Sequence, residues 1–217
     1  MRVTETTVYQ FEELSDAAKE KARQWYREGE AEDFSDDEFI LEPAKTAARL
    51  IGIEFAERSY QTSRGKTHTE ADITWSLAYC QGDGLAFAGT YRFTRGAADA
   101  VRAEFPTDIA LHAIADGLQA LQAHYKLSGA GPGNMEGRAS QDQRGHFIMD
   151  ATVTDSETGE EPEDYEITKR FLELMRDFAD WIYEGLKAEY ESRQENEYVD
   201  DNIIANEYEF DEDGNRI

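Results

Sequence analysis

The sequence predicts an α+β fold: an antiparallel meander sheet of about five strands, three to four helices packed on it, and a long C-terminal helix. Three observations carry this. Ile73, Trp75, Leu77 and Tyr79 alternate strictly with Thr74, Ser76, Ala78 and Cys80, the pattern of a half-buried strand. Leu111, Ile114, Leu118, Leu121 and Tyr125 recur at helical spacing within 107–125. Residues 163–194 extend that spacing through Phe171, Leu174, Met175, Phe178, Trp181, Ile182, Gly185, Leu186 and Tyr190, with Asp and Glu dense on the other faces. No linker rich in Pro, Gly or Ser interrupts the chain, so residues 1–217 are read as one domain whose C-terminal third, 155–217, is strongly acidic.

Taken in order, residues 2–11 read as a strand. A first helix follows with Ser15 as its N-cap, Asp16 in its first turn, and Gly29 placed to close it. A second helix is expected to start at Ser35, with Glu38 completing a capping box, and to reach Ile51 with a kink or restart at Pro43. Strands are predicted at about 53–62, 70–80 and 85–94. The helix over 107–125 comes next, then a loop at 127–134 and two further strands at 134–140 and 145–154. The tail 202–217 reads as a short strand with a turn at Asp213-Gly214.

Charge is the dominant compositional feature. The chain of 217 residues carries 47 acidic and 22 basic residues, net −25. The excess is uneven: residues 85–154 hold 7 acids and 6 bases, whereas 155–217 hold 22 and 6, and 28–42 hold eight acids and no base. A chain of this kind repels nucleic acid and anionic lipid, so its natural partners are basic surfaces or cations. No apolar run approaches the roughly 20 residues of a membrane-spanning helix, and the first eleven residues lack the apolar core of a signal peptide. With a single cysteine, Cys80, no internal disulfide framework forms; a cytoplasmic protein without membrane contact is expected.

Few motifs suggest chemistry. In "AYCQGDGLAF" (78–87), Gly82-Asp83-Gly84 supplies a hairpin turn; the functional alternative is a loop site formed by Tyr79, Gln81 and Asp83. Asp108, His112 and Asp116 stand at i, i+4, i+8, but no His-x-x-x-His pair or cysteine cluster accompanies them, so no metal is expected. The glycine-rich "GAGPGN" (129–134) lacks the lysine and the following helix of a phosphate loop. Glu209, Asp211, Asp213 and Gly214 match only half of a calcium loop and read as a hairpin turn. No dinucleotide, hydrolase or kinase motif is present, and no cofactor or catalytic residue is expected.

The acidic runs remain. Carboxylates three or four apart on a helix lie about 5–6 Å from one another, and duplex DNA carries one charge per about 1.7 Å of axis. Rows such as Asp177, Asp180 and Glu184, together with Glu30, Glu32, Asp33, Asp36 and Asp37, could therefore stand in for phosphates in the cleft of a basic, nucleic-acid-binding protein. The alternatives are a small enzyme or ligand-binding protein with a site at the Tyr79–Asp83 hairpin, and a structural or assembly protein acting through the apolar face of the 163–194 helix.

The strings "FEELSDAAKEKARQWYRE" (11–28), "WSLAYCQGDGLAF" (75–87), "FADWIYEGLKAEYE" (178–191) and "NEYEFDEDGNRI" (206–217) resemble a family of small acidic proteins encoded by bacteriophages and prophages. The resemblance implies a phage accessory protein in the host cytoplasm, with an antirestriction-like or other counter-defence role against a basic host protein. It carries over no catalytic residue.

Overall fold

Residues 53–61, 67–76 and 84–92 are three extended runs, and each changes partner halfway. In the computed structural model, which describes residues 7–34, 40–61, 65–78, 82–142 and 147–217, the runs divide into six strands. These are β2 (Ile53–Phe55), β3 (Glu57–Gln61), β4 (Thr67–Ala71), β5 (Ile73–Ser76), β6 (Gly84–Phe87) and β7 (Gly89–Arg92). β2 pairs with β7, β3 with β4, and β5 with β6, all antiparallel. Where the partners change, three backbone bonds close a triangle: Ala56 N to Ala88 O at 2.8 Å, Asp72 N to Ala56 O at 2.7 Å, and Ala88 N to Asp72 O at 2.9 Å. The Gln141 side chain donates to the backbone and carboxylate oxygens of Asp72 at 3.2 and 2.8 Å. Bulk is excluded beside the junction: a Cβ on Gly89 would lie 2.7 Å from Glu54 O. The expected strands at 53–62, 70–80 and 85–94 are thus present but broken, each at a corner of this triangle.

By contact pattern the chain forms two compact units, 41–185 and 1–40 with 186–217. In the first, β8 (Met135–Asp142) and β9 (Ile148–Asp155) extend the β2–β7 pair into a four-stranded antiparallel sheet of order β2-β7-β8-β9. Its inner face holds Tyr91, Met135, Ala139, Met149 and Val153, all buried; Thr90, Arg92, Arg138 and Thr152 face water, the alternation of a sheet covered on one side. The helices of this unit are α2 (Glu42–Ile51), α3 (Ala97–Glu104), α4 (Ile109–Leu127) and most of α5 (Tyr165–Arg193). α4 buries Leu111, Ile114, Leu118, Leu121 and Tyr125, and α5 buries Phe171, Leu174, Met175, Phe178 and Ile182, the stripes read from the sequence. Pro43 sits in the first turn of α2, where a proline costs the helix no hydrogen bond, so this helix starts at Glu42; Ser35 and Glu38 lie outside the described residues.

The second unit contains β1 (Tyr9–Gln10), a 3₁₀ turn (Phe11–Glu13), α1 (Asp16–Asp33), the end of α5, α6 (Asn196–Ala205) and β10 (Glu209–Phe210), which pairs antiparallel with β1. Phe11, Leu14, Ala18, Ala22, Val199, Ile203 and Phe210 form its core. Ser15 caps α1 as expected, its hydroxyl accepting from Ala18 N at 3.3 Å. Gly29 does not end the helix, which continues to Asp33. α6 takes the first four residues of the tail read as strand and turn, whose short strand is β10; Val199 and Ile203 give α6 only one apolar pair at i, i+4. The turn near Asp213 is as expected, with Phe210 bridging Arg216. Among the described residues, the class is α+β with antiparallel sheets and a long C-terminal helix, built from ten strands and six helices.

Candidate functional site

α4 and α5 lie antiparallel across the sheet. The Trp181 indole donates to Asp108 Oδ2 at 2.7 Å at one end of α4, and His124 approaches Asp164 at 3.4 Å at the other. Between these ends the helices touch at Gly117, where a Cβ would sit 2.6 Å from Leu174 Cδ2. Next to this contact a groove of about 440 Å³ opens to solvent. Its floor is apolar: Ala110, Ala113 and Ile114 from α4, Leu174 and Trp181 from α5. Asp177, Asp180 and Glu184 line it as well, with Arg170.

Trp181 is held from several sides. It stacks on Phe178 with ring centroids 5.6 Å apart and meets the edge of Phe105 at 6.0 Å. Asp108 receives its indole proton on one oxygen, while the other accepts from Leu111 N at 2.9 Å and caps α4. The cap of one helix thereby fixes the aromatic wall of the groove.

The three carboxylates act on one another. Partial desolvation against the groove raises the Asp180 pKa above its ordinary value, and repulsion from Asp177 and Glu184 raises it further. Among the described residues none of the three has an ion-pair partner. Arg170 is engaged by Glu173 at 2.9 Å. The row therefore presents uncompensated negative charge beside an apolar surface.

The other residues singled out by sequence fall elsewhere. Glu30, Glu32 and Asp33 belong to the last turns of α1, in the other unit; Asp36, Asp37, Tyr79 and Gln81 lie outside the described residues. Asp83 lies just before β6: its Oδ1 accepts from Ser76 Oγ at 3.1 Å and Ala78 N at 2.9 Å. β5 and β6 pair antiparallel on either side of it, the hairpin expected there. His112 Nε2 is 2.7 Å from Phe105 O and Asp116 pairs with Arg102 at 2.5 Å, so neither points with Asp108 at a common centre. Among the described residues no group of three His, Cys, Asp or Glu is placed to hold a metal ion.

One acid that sequence reading missed is Asp155, buried at the end of β9. Its Oδ2 accepts from Tyr125 OH and Gly133 N, each at 2.8 Å; its Oδ1 accepts from Glu157 N at 2.9 Å and Thr158 N at 3.0 Å. Burial opposes ionisation here, but the backbone N–H groups and the Tyr125 hydroxyl outweigh it and hold the carboxyl below its ordinary value. The glycine-rich loop 129–134 is thus a clasp on Asp155. The signal available was "DSETG" (155–159), an aspartate followed by turn residues.

An antiparallel sheet covered on one face by helices, with an acid-lined groove on the helical layer, describes the class of protein at hand. The chain belongs to the DUF8835 family, a domain of unknown function whose model matches residues 37–196. That span contains the whole 41–185 unit and its groove. No curated protein and no solved structure matches the chain. No helix among the described residues is long and apolar enough to cross a membrane.

Proposed function

We propose that this protein is a binding protein, not an enzyme, which takes a basic protein surface on the acidic face of α5. The observation that carries the reading is the row Asp177, Asp180 and Glu184: three carboxylates on one side of a helix, mutually repelling, with no cation of the described chain to neutralise them. Leaving such a row uncompensated costs the fold and serves a partner that supplies the positive charge. The favoured partner class is a nucleic-acid-binding protein whose cationic cleft accepts carboxylates in place of phosphates, a reading supported by the net charge of −25. The resemblance to phage-encoded acidic proteins supports a host defence protein as that partner and the host cytoplasm as the setting.

The test is capture from a bacterial lysate at low salt, comparing the parent chain with the D177N/D180N/E184Q variant. The parent is expected to retain nucleic-acid-binding proteins, to release them steeply as salt rises, and to lose them to added duplex DNA; the triple variant is expected to retain at least about tenfold less. Equal retention by the two proteins refutes the assignment of the α5 row.

A further inference from the structure

We infer that the α4–α5 groove is a docking site for a basic amphipathic helix, which lies along it as a third helix. This rests on the acidic-face reading above and adds the shape of the partner. Four features lead to it. The line of α5 residues from Arg170 through Leu174, Asp177 and Trp181 to Glu184 extends about 21 Å along the helix axis, roughly four turns of an incoming helix. Ala110 and Ala113 put small side chains one helical turn apart on the α4 side of the groove. A guest backbone can therefore approach to the roughly 8–10 Å of ordinary helix packing. Ala110, Ala113 and the half-buried Trp181 ring, over the buried Ile114 and Leu174, give the guest an apolar floor, so an apolar ridge is required of it. Asp177, Asp180 and Glu184 require Lys or Arg on the flank facing α5.

Charge excludes the simplest other occupant. A second copy of this chain, at net −25, brings more acid to an acidic rim. A bare phosphate-mimicking surface has no use for the apolar floor. The floor and the rim together select an amphipathic helix of positive charge.

The probe is a fluorescent synthetic peptide of about 18 residues made of Leu and Lys, with Leu at i, i+3, i+4 and i+7. Its controls are the same composition in scrambled order and a Leu/Glu counterpart. Binding to the full chain is read by fluorescence anisotropy at low salt, with circular dichroism on every variant to confirm the fold. The ordered Leu/Lys helix is expected to bind at least about tenfold more tightly than the scrambled peptide, and the Leu/Glu peptide not at all. The variant A110Q/A113Q, which fills the groove without changing charge, is expected to weaken the ordered peptide by about tenfold; D177N/D180N/E184Q is expected to weaken it and to flatten its salt dependence.

Ordered and scrambled peptides binding alike, with A110Q/A113Q silent and D177N/D180N/E184Q weakened, would overturn the groove and leave the acidic face standing. Binding indifferent to both variants overturns both. If neither Leu/Lys peptide binds, the groove is overturned, and the lysate capture alone decides the acidic face.

Discussion

The carboxylates of the unit formed by 1–40 and 186–217 and those on the groove face of the 41–185 unit live in opposite circumstances. In the first, Asp200 takes the Arg23 guanidinium with both oxygens, at 2.6 and 2.7 Å, and Glu20 lies between Arg23 and Arg27 at 3.2 and 3.3 Å. Asp211 accepts from the Asn215 side chain at 2.7 Å and from the Asn215 and Asp213 backbones at 2.8 and 3.0 Å. Those bonds hold its carboxyl below the ordinary value. On the groove face, Asp180 moves the other way, raised by desolvation and by its acidic neighbours. Asp200 and Asp211 belong to the same segment 155–217, with its 22 acids and 6 bases, as the groove row, so a count of charge does not measure the charge on offer to a partner. Acids that meet a guanidinium or a cluster of N–H groups belong to the fold, and acids left facing one another are free to act on something else.

Asp155 should give the largest effect in breaking this division, because its four donors converge on a buried carboxylate. Asp155→Asn turns an amide NH₂ toward groups that are themselves donors. It is expected to lower the midpoint of thermal unfolding more than Asp200→Ala does. The pH dependence follows from the sign of the shift: the folded pKa lies below the unfolded one, so this contribution is fully present above about pH 4 and is lost as pH falls through the folded value. Melting curves at pH 7 and pH 3 should converge for parent and variant at the acidic end; a variant as stable as the parent at pH 7 means the clasp is dispensable.

Asp200→Ala comes next. Arg23 and Asp200 are both largely covered and joined in a fork, so losing one partner is expected to cost about 2 kcal/mol in urea unfolding. A cost under about 0.5 kcal/mol would place this pair with ordinary surface ion pairs and blur the contrast between the two regions.

The smallest effect should have the opposite sign. Asp180→Asn relieves repulsion within an exposed row and is expected to stabilise by about 0.3 kcal/mol. Because the folded pKa lies above the unfolded one, the gain is present at neutral pH and disappears as pH falls below about 4. A loss of stability at pH 7 would mean that Asp180 serves the fold after all. Substitutions of Asp155 and Asp200 should damage stability, whereas those in the groove row should damage capture of a basic partner and leave stability intact.

The two long helices were legible because apolar spacing repeats over 19 residues in α4 and 29 in α5, enough turns for a period to stand out. The short helices α3 and α6 were not, since two buried side chains in each carry no period. The three central strands were legible as extended segments from their alternation. Their breaks were not, because Ala56, Asp72 and Ala88 change partner through backbone bonds that leave no mark on side-chain pattern. For the site, Asp177, Asp180 and Glu184 were found as a row on one helix. The groove beside them was not found, because Trp181 reads as one more member of a core stripe and Ala110 and Ala113 read as filler.

Local and periodic properties were therefore determined by sequence alone: the α+β class, the α4 and α5 core stripes, the Ser15 cap, and an acidic excess concentrated at the C-terminal end. Only tertiary structure decided which acids are spent and which are free. Arg23 reaches Asp200 across 177 positions of sequence, and Tyr125 reaches Asp155 across 30. A carboxylate's state depends on the donors that folding brings within about 3 Å of it, and distance along the chain says nothing about that.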